Sequence, residues 1–556
     1  MKTRLDMAMQ RARTARRTYA CSPLPPRGHR VPVLIVGAGP VGLAAAADLR
    51  QHGVDFLVLE KHASVSDGSR AICWAKRTLE ICDRLGVAGS MVAKGVTWNV
   101  GKVFVGDSPE PLYAFDLLPL KDQQFPAFIN LQQYYVEEYL SDALAMQGDP
   151  VLRQHAVTGV KALADGVRVS VDTPLGGYEI ECDWLIAADG SRSKVRELLG
   201  FAFEGRTFED NFLIADVRVD VPFPAERRFY FQAPFNDGRT ALMHRQPDDV
   251  WRLDFQLGWD IDREAAVQED NVTRRVQALL GPDVRFEYEW VSLYTFQCRR
   301  MQRFVHDRVV FVGDAAHLVS PFGARGANGG LQDVDNLAWK LATVIKGGAG
   351  AKLLESYDEE RIHGADENIR NSTRATDFMT PKSPAAEAFN AAVLGLARDH
   401  VFARALVNSG RLSVPCHQRG STLTTADTDG FEASLQPGDA CVDAPVSGGW
   451  LLPRLGHAFT CLYFSGPGAP APEAVRAALP RGVRLLVVGP EAGEDAVQDP
   501  TGVLGQRYDA TPGATYLIRP DQHVAARWRR FDNHRLASAL MRATGHPPQN
   551  PGSIEA

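Results

Sequence analysis

The sequence lacks the paired cysteines of a metal or dithiol centre. Its eight cysteines include no Cys-x-x-Cys pair, so neither a zinc knuckle nor a dithiol redox site is expected, and we predict no metal site. Scattered cysteines without a secretory signal are typical of a reducing compartment. We therefore expect the protein in the cytoplasm.

Excess positive charge and long apolar runs are also absent. The net charge of -6 and pI of about 6.2 disfavour a nucleic-acid-binding protein, which usually carries a basic face. The nearly uncharged stretch Val33–Leu49 is broken by glycines and a proline, so we expect no membrane association. Residues 1–30 carry eight Lys or Arg and one acid. They resemble a transit peptide, but we favour a solvated arm before the first domain.

A glycine-rich turn lies between a predicted strand, Val31–Val36, and a predicted helix, Val41–Gln51. Its pattern is Gly37-x-Gly39-x-x-Gly42. The first glycine allows a tight turn, the second lets backbone approach a pyrophosphate, and the third lets helix pack on strand. The helix N-terminus adds free N–H groups and partial positive charge. The pattern predicts a dinucleotide site; the alternative is a glycine-rich helix start without a ligand.

A second predicted strand, Asp55–Leu59, completes a β-α-β unit and ends at Glu60. This acid lies 18 residues beyond the last glycine of the turn, where a carboxylate can accept hydrogen bonds from a ribose. We expect Lys61 beside it, and Pro40 and Val41 of the turn, among the cofactor contacts.

A later glycine-rich segment narrows the choice of dinucleotide. Gly313-Asp314 follows a predicted buried strand, Arg308–Val312, and an aspartate at that strand end can hold a ribityl hydroxyl. The run Gly326–Gly330 opens a predicted helix, Leu331–Val344, whose positive end can stabilise a reduced flavin. The alternatives are a helix cap for the aspartate and a flexible loop for the glycines. The FAD contacts predicted in this segment are Gly313, Asp314, Pro321, Gly326, Ala327 and Asn328.

These motifs resemble those of the single-component, class A FAD-dependent aromatic hydroxylases, over roughly residues 31–380. Gly37–Gly42 resembles their FAD fingerprint, and Gly313–His317 resembles their GD motif. Asp189-Gly190, after the predicted strand Asp183–Ala188, resembles their DG motif, which is linked to FAD pyrophosphate and NAD(P)H use.

Two further positions match FAD contacts of that family, namely Arg70 and Gln133. One position departs from it, because Ala324-Arg325 stands where many members have Gly-Gly or Gly-Gln. The departure affects the expected course of the backbone near the flavin. It does not change the resemblance to the class A hydroxylases.

The resemblance implies an α/β fold with a Rossmann-like FAD-binding domain, an inserted antiparallel-sheet substrate domain and a C-terminal thioredoxin-like domain. Alternating segments favour the inserted sheet, and composition shifts after about residue 410. The tail resembles that of phenol 2-monooxygenase and 3-(3-hydroxyphenyl)propionate hydroxylase and, without Cys-x-x-Cys, is expected to be structural. The predicted segments are an arm (1–30), the FAD-binding domain (31–210 and 300–410), the substrate sheet (211–299), a linker (411–430) and the tail (431–548).

The resemblance also implies the reaction. NADH or NADPH passes hydride to the flavin, O2 adds to give a C4a-hydroperoxide, and a phenolic substrate takes the distal oxygen. No second G-x-G-x-x-G follows a predicted strand, which fits a nicotinamide that binds transiently. A homodimer is expected by analogy only.

The substrate-side residues are less well defined by the sequence. Tyr294 matches a tyrosine of phenol 2-monooxygenase that approaches the substrate hydroxyl, and it could shuttle a proton; the alternative is a packed strand tyrosine. His244 is a candidate base, with a structural histidine as the alternative. Pro321 could bring its carbonyl toward the flavin, and His317 is interpreted as scaffolding.

Three other functions share parts of this pattern. A flavin-dependent halogenase would carry a W-x-W-x-I-P segment, which is absent. An antibiotic-inactivating or polyketide-tailoring hydroxylase shares the fold and the flavin and stays open. A non-catalytic flavin-binding regulator would not oxidise NADH faster when phenols are added.

Overall fold

The computed structural model describes residues 3–68, 70–117, 121–148, 151–407, 414–491 and 493–546. Parts of the predicted arm, linker and tail lie outside these ranges. No helix in the described ranges is long and apolar enough to span a bilayer.

The described residues form sixteen α-helices. They are α1 (Arg4–Ala15), α2 (Pro40–Gln51), α3 (Lys76–Arg84), α4 (Ala88–Lys94), α5 (Gln133–Met146), α6 (Lys194–Leu198), α7 (Arg263–Ala266), α8 (Glu269–Leu280), α9 (Gly326–Ile345), α10 (Glu355–Met379), α11 (Pro384–Ala397), α12 (Val401–Val407), α13 (Leu451–Leu455), α14 (Pro472–Ala478), α15 (Val503–Arg507) and α16 (Asn533–Ala543).

The strands form five sheets. They are β1 (Arg30–Val36), β2 (Phe56–Glu60), β3 (Cys73–Ala75), β4 (Val96–Trp98), β5 (Val100–Val105), β6 (Tyr113–Asp116), β7 (Phe128–Asn130), β8 (Val151–Arg153), β9 (Ala156–Ala162), β10 (Val167–Asp172), β11 (Tyr178–Ala187), β12 (Glu204–Arg218), β13 (Arg227–Ala233), β14 (Arg239–Arg245), β15 (Val250–Gly258), β16 (Glu287–Arg300), β17 (Val305–His306), β18 (Val309–Phe311), β19 (His317–Leu318), β20 (Pro445–Val446), β21 (Gly449–Trp450), β22 (Thr460–Phe464), β23 (Arg484–Val488), β24 (Ala496–Val497), β25 (Thr515–Ile518) and β26 (Val524–Trp528).

The first sheet has a parallel centre in the order β18-β11-β1-β2-β8. Its central strands are almost continuously apolar because helices cover both faces. The carboxyl ends of β1, β11 and β18 therefore meet at one edge, where the predicted glycine and aspartate motifs follow each strand. The mixed α/β class is confirmed.

The second sheet has the order β19-β16-β12-β15-β14-β13-β5-β6. One face packs on α1 and α8 through an apolar cluster. Its strands β5 and β6 come from the segment assigned above to 31–210, so the sheet extends beyond 211–299. Its edge strand β19 directly follows the Gly313-Asp314 turn and pairs with β16, which brings the second sheet against the motif edge of the first.

Residues 4–15 are not a solvated arm, contrary to expectation. They form α1, whose Leu5, Ala8 and Ala12 are buried. Because these apolar residues recur at helical spacing, one stripe packs on β16 while the basic side chains stay outside. The basic composition hid this amphipathic pattern.

The C-terminal domain is an α/β unit with the sheet order β24-β23-β22-β25-β26. It is joined to the rest of the chain by buried ion pairs. Arg519 contacts Glu360 of α10 at 2.6 and 3.0 Å, and Lys340 of α9 reaches the same carboxylate at 2.7 Å. Such pairs are costly to break, so they fix the tail's orientation against α9 and α10.

Candidate active site

The three glycines of the first turn have three different environments. Gly37 has a positive φ of 105°, and a Cβ there would lie 2.5 Å from the Ala188 carbonyl oxygen. A Cβ on Gly42 would lie 1.9 Å from the Gly37 carbonyl oxygen, whereas a Cβ on Gly39 would meet nothing within 4 Å. The first and third glycines are thus required by the protein's own packing. The middle one faces open space at the N-terminus of α2, as a site for a pyrophosphate requires.

Glu60 ends β2 beside this turn. Its carboxylate accepts hydrogen bonds from the Ala38 and His62 N–H groups at 2.8 and 2.9 Å. It therefore braces the turn as well as lying where a ribose would bind. Pro40 is the first residue of α2, and Lys61 is exposed.

Val41 lies between the two glycine-rich segments. A Cβ on Gly330 would lie 2.6 Å from a Val41 methyl, and one on Gly313 would lie 3.1 Å from a Val41 methyl. The three residues let α2 approach α9 and the Gly313 turn closely. Val41 is therefore a packing residue of the site.

Asp314 lies just beyond the carboxyl end of β18, and its side chain is available to a ligand. Its carboxylate accepts no hydrogen bond from the described residues, and burial raises its pKa, while His317 and Arg70 act in the opposite direction. Such a carboxylate is suited to accept hydrogen bonds from hydroxyl groups of a ligand. This environment disfavours the helix-cap alternative.

Asp333 fixes the turn that carries Asp314. One carboxylate oxygen accepts from the Gly313 N–H at 2.9 Å and contacts His317 Nε2 at 2.6 Å, and the other accepts from Arg361 Nε at 2.7 Å. Burial alone would raise the pKa of Asp333, but His317 and Arg361 hold it below its usual range. His317 is buried in this arrangement, in line with its interpretation as scaffolding.

The glycine run is the first turn of α9 rather than a loop before it. Gly326 and Ala327 lead the helix, and their N–H groups have no intrahelical partners. The Asn328 side chain is fully used: it accepts from Ala75 N–H and Thr78 Oγ1 and donates to the Cys73 and Ala324 carbonyls. Only its backbone is available to a cofactor.

The turn before α9 contains the departure noted in the sequence. Ala324 has a φ of 53°, a region that glycine occupies without strain. Its N–H donates to the Pro321 carbonyl at 3.1 Å. The Pro321 carbonyl thus closes this turn and keeps one lone pair for another partner.

The Asp189-Gly190 motif lies at the carboxyl end of β11, at the same edge of the first sheet, and contacts the start of α6. Asp189 Oδ2 accepts from the Val195 N–H at 3.0 Å, whereas Oδ1 is buried without a partner. Arg196 joins this motif to the GD turn, donating to the Ala315 carbonyl at 2.8 Å. Gly190 has open space where a Cβ would be.

The two remaining predicted FAD contacts, Gln133 and Arg70, differ in how far their side chains are engaged by the protein. Gln133 accepts from the Ala71 N–H at 3.1 Å and donates to Glu137 at 2.8 Å, so its side chain positions the segment that follows Arg70. Arg70 is exposed and lies within electrostatic range of Asp314 and Tyr294.

Tyr294 stands on the face of the second sheet that looks toward the cofactor motifs. It pairs with Phe212 in register and is 38% exposed, so part of the side chain is accessible. Burial raises the pKa of its hydroxyl to about 12, with Asp314 adding to the effect and Arg70 opposing it. At neutral pH this hydroxyl is therefore protonated and can donate a hydrogen bond.

His244 lies on the same face but is 2% exposed. Burial lowers its pKa to about 4, with Arg227 adding to the effect. Its Nε2 lies 3.5 Å from Asp254, and its Nδ1 is buried without a partner. A neutral imidazole of such low pKa is a weak base, which favours a hydrogen-bonding role.

Sequence reasoning missed two residues of this face. Arg227 is 4% exposed, and its guanidinium lies over the Phe229 ring, 4.8 Å from the centroid. In the described residues its Nε and Nη1 have no hydrogen-bond partner, and neither has the buried hydroxyl of Ser292. By contrast, Arg252 on this face is paired with Asp216 through two bonds of 2.8 Å. Alternation with Phe229 and Phe231 was the signal that Arg227 points inward.

The fold and these motifs define an FAD-binding α/β protein with a separate sheet over its cofactor edge. A family model described as FAD binding domain matches residues 30–372. The 6-methylpretetramide 4-monooxygenase of Streptomyces rimosus is 31% identical over 548 residues, covering 93% of this chain and 94% of that protein. The chain therefore belongs to the class A FAD-dependent aromatic hydroxylases, and it is a flavoprotein monooxygenase.

Other relatives act on different substrates. A 3-(3-hydroxy-phenyl)propionate/3-hydroxycinnamic acid hydroxylase of Klebsiella pneumoniae is 32% identical over 362 residues, covering 64% of this chain and 63% of that protein. The solved anhydrotetracycline hydroxylase of Streptomyces rimosus is similar with a TM-score of 0.70 at 29% identity, covering 93% of this chain and all of that one.

The contrast between Gly39 and Gly42 gives a matched pair of variants. Gly42→Ala should unfold or strongly destabilise the protein, because its Cβ would overlap the Gly37 carbonyl. Gly39→Ala should leave the melting temperature of the FAD-free protein unchanged and weaken FAD binding at least about 10-fold, because backbone approach is blocked. Thermal unfolding and FAD titration measure both. Equal FAD affinity of Gly39→Ala and wild type would contradict the assignment.

Proposed function

We propose that the protein uses NADH or NADPH and O2 to hydroxylate a phenolic ring, with FAD as its cofactor. The observation that carries this proposal is that Tyr294 on the sheet is 38% exposed and lies within electrostatic range of Asp314 on the cofactor edge. The residues fit FAD, since Gly39 faces open space, Asp314 has a free carboxylate and α9 begins at Gly326. FAD, when bound and reduced, supplies the oxygen-activating chemistry.

The chain's own residues then have distinct tasks. The N–H groups at the starts of α2 and α9 bind negative charge. Asp314 accepts hydrogen bonds from cofactor hydroxyls. Tyr294, which stays protonated at neutral pH, donates to the substrate's phenolate oxygen and so favours its ionised form. The surrounding apolar side chains exclude water from the reacting ring.

Arg227, His244 and Ser292 supply binding groups for further substrate oxygens. All three lie on the sheet face of Tyr294: Leu242, two residues from His244, pairs with Phe229, which places Arg227 opposite His244. Unpartnered buried polar atoms are costly unless a ligand satisfies them. We therefore propose that Arg227 binds an anionic or carbonyl oxygen of the substrate.

A polyketide-tailoring hydroxylase is the second candidate. It is supported by a relative that matches 93% of this chain and is named as a 6-methylpretetramide 4-monooxygenase. Several unpartnered polar groups on one face also suit a substrate with several oxygens. The same residues serve either substrate.

The domain architecture completes the proposal. We assign the parallel sheet to a Rossmann-like FAD-binding domain and the tail to a thioredoxin-like domain. Burial raises the pKa of Cys441 and Cys461 to about 12, so these tail thiols stay protonated and support a structural role. A homodimer and a cytoplasmic location remain predictions.

A substrate panel tests the function. FAD-loaded protein is mixed with NADH or NADPH and with phenols, hydroxyphenylpropionates or polycyclic phenolic polyketides. We expect one class to accelerate NAD(P)H oxidation and to yield a product heavier by one oxygen atom. A yellow protein whose NAD(P)H oxidation responds to none of them would support the non-catalytic alternative.

Tyr294→Phe tests the hydrogen bond to the substrate oxygen. Loss of a bond to a charged group corresponds to a rate about 10- to 100-fold lower. Because the phenolate loses a donor, the pH profile of hydroxylation should also shift to higher pH. Tyr288→Phe, on the same strand but in the opposite apolar cluster, is the control. An unchanged rate and pH profile for Tyr294→Phe would refute this role.

Arg227→Met tests substrate binding by the guanidinium whose Nε and Nη1 have no hydrogen-bond partner in the described residues. We expect KM for the accepted substrate to rise about 10- to 100-fold, with kcat changed much less, because a charged hydrogen bond is lost. Arg228→Met is the matched control, since Arg228 faces the other side and pairs with Glu226 at 2.8 Å. Equal KM values for the two variants would contradict the assignment.

A further inference from the structure

A group of three potential metal ligands lies where α2 meets the C-terminal domain. Asp48 and His52 are one turn apart at the end of α2, and His457 comes from the loop between α13 and β22. One ligand atom from each lies within 4.8 Å of the other two. Asp48 Oδ1 is 3.7 Å from His52 Nε2, and the two imidazole centroids are 6.0 Å apart at 88°.

Asp48 is the most buried member of this group. It is 3% exposed, and in the described ranges its ion-pair partner is His52, with Oδ1 3.7 Å from Nε2. A buried carboxylate without close donors is costly. Each imidazole in its neutral form has a ring-nitrogen lone pair that can bind a metal ion.

Charges of both signs surround the group, so the local field does not exclude a cation. Arg84 is paired with Asp335, and Lys346 donates to the His52 carbonyl. Burial raises the pKa of Asp48 to about 7, Arg84 acts in the opposite direction, and Asp335 and Asp521 add to the rise.

We propose that Asp48, His52 and His457 bind a divalent transition metal ion, with Zn²⁺ the best match to two imidazoles and a carboxylate. A fourth position would be filled by water. Because His457 belongs to the tail and the other two ligands to α2, the ion would fasten the C-terminal domain to the FAD-binding domain.

The position indicates a structural rather than a catalytic ion. Asp48 lies nine residues beyond Gly39 along the chain, which corresponds to about 14 Å of helix. The site is therefore at the opposite end of α2 from the turn that binds the dinucleotide. Sequence spacing predicted no metal site, because the third ligand is about 400 residues away in the chain.

The test uses full-length, FAD-loaded protein treated with a chelator and then titrated with ZnCl2 by calorimetry. We expect one Zn²⁺ per chain and a higher melting temperature. His52→Ala and His457→Gln should weaken binding at least about 10-fold, and their flavin absorbance and circular dichroism should confirm folding. The control is His363→Ala, from a second group with Glu367 and Cys416 whose ligand atoms also lie within 4.8 Å.

Three results would overturn the proposal. These are no Zn²⁺ binding by metal-free wild type, equal binding by folded His457→Gln, and loss of binding in His363→Ala alone. None of these measurements depends on hydroxylation, so they are independent of the proposed function.

Discussion

The carboxylate of Asp333 is the contact on which the candidate active site depends. From within α9 it holds the Gly313 N–H, the His317 ring and Arg361 together. This fixes the strand-end turn to the helix whose N-terminus faces the cofactor edge. Asp314 is thereby presented with a free carboxylate, and β19 continues directly into the second sheet.

The same constraint brings cofactor and substrate surfaces together. Because β19 pairs with β16, the strand that carries Tyr294 is anchored next to the Asp314 turn. Val41 packs on Gly313 and Gly330 from the other side, so the two glycine-rich segments share one packing contact. Tyr294 is 38% exposed and lies within electrostatic range of Asp314. On the same sheet face, the buried Nδ1 of His244 and Oγ of Ser292 have no hydrogen-bond partner in the described residues.

Much of this arrangement could be predicted from local sequence. The glycine spacing, the strand-end Glu60 and Asp314, and the alternation of the substrate sheet each encode short-range structure. Long-range pairing could not be predicted. Strands β5 and β6 join the second sheet, and the Asn328 side chain is engaged in hydrogen bonds to β3 and α3. Arg227 lies opposite His244 through pairing of β13 with β14. Composition also misled, since basic residues concealed the apolar stripe of α1.

The most direct test of the account is isotopic. FAD-loaded protein is supplied with NAD(P)H, an accepted aromatic substrate and ¹⁸O2, and the product is analysed by mass spectrometry. The account predicts that one ¹⁸O atom enters the ring product, with none from H2¹⁸O in the converse experiment. A product whose added oxygen comes from water, or NAD(P)H oxidation with peroxide as the sole outcome across all substrates, would contradict it.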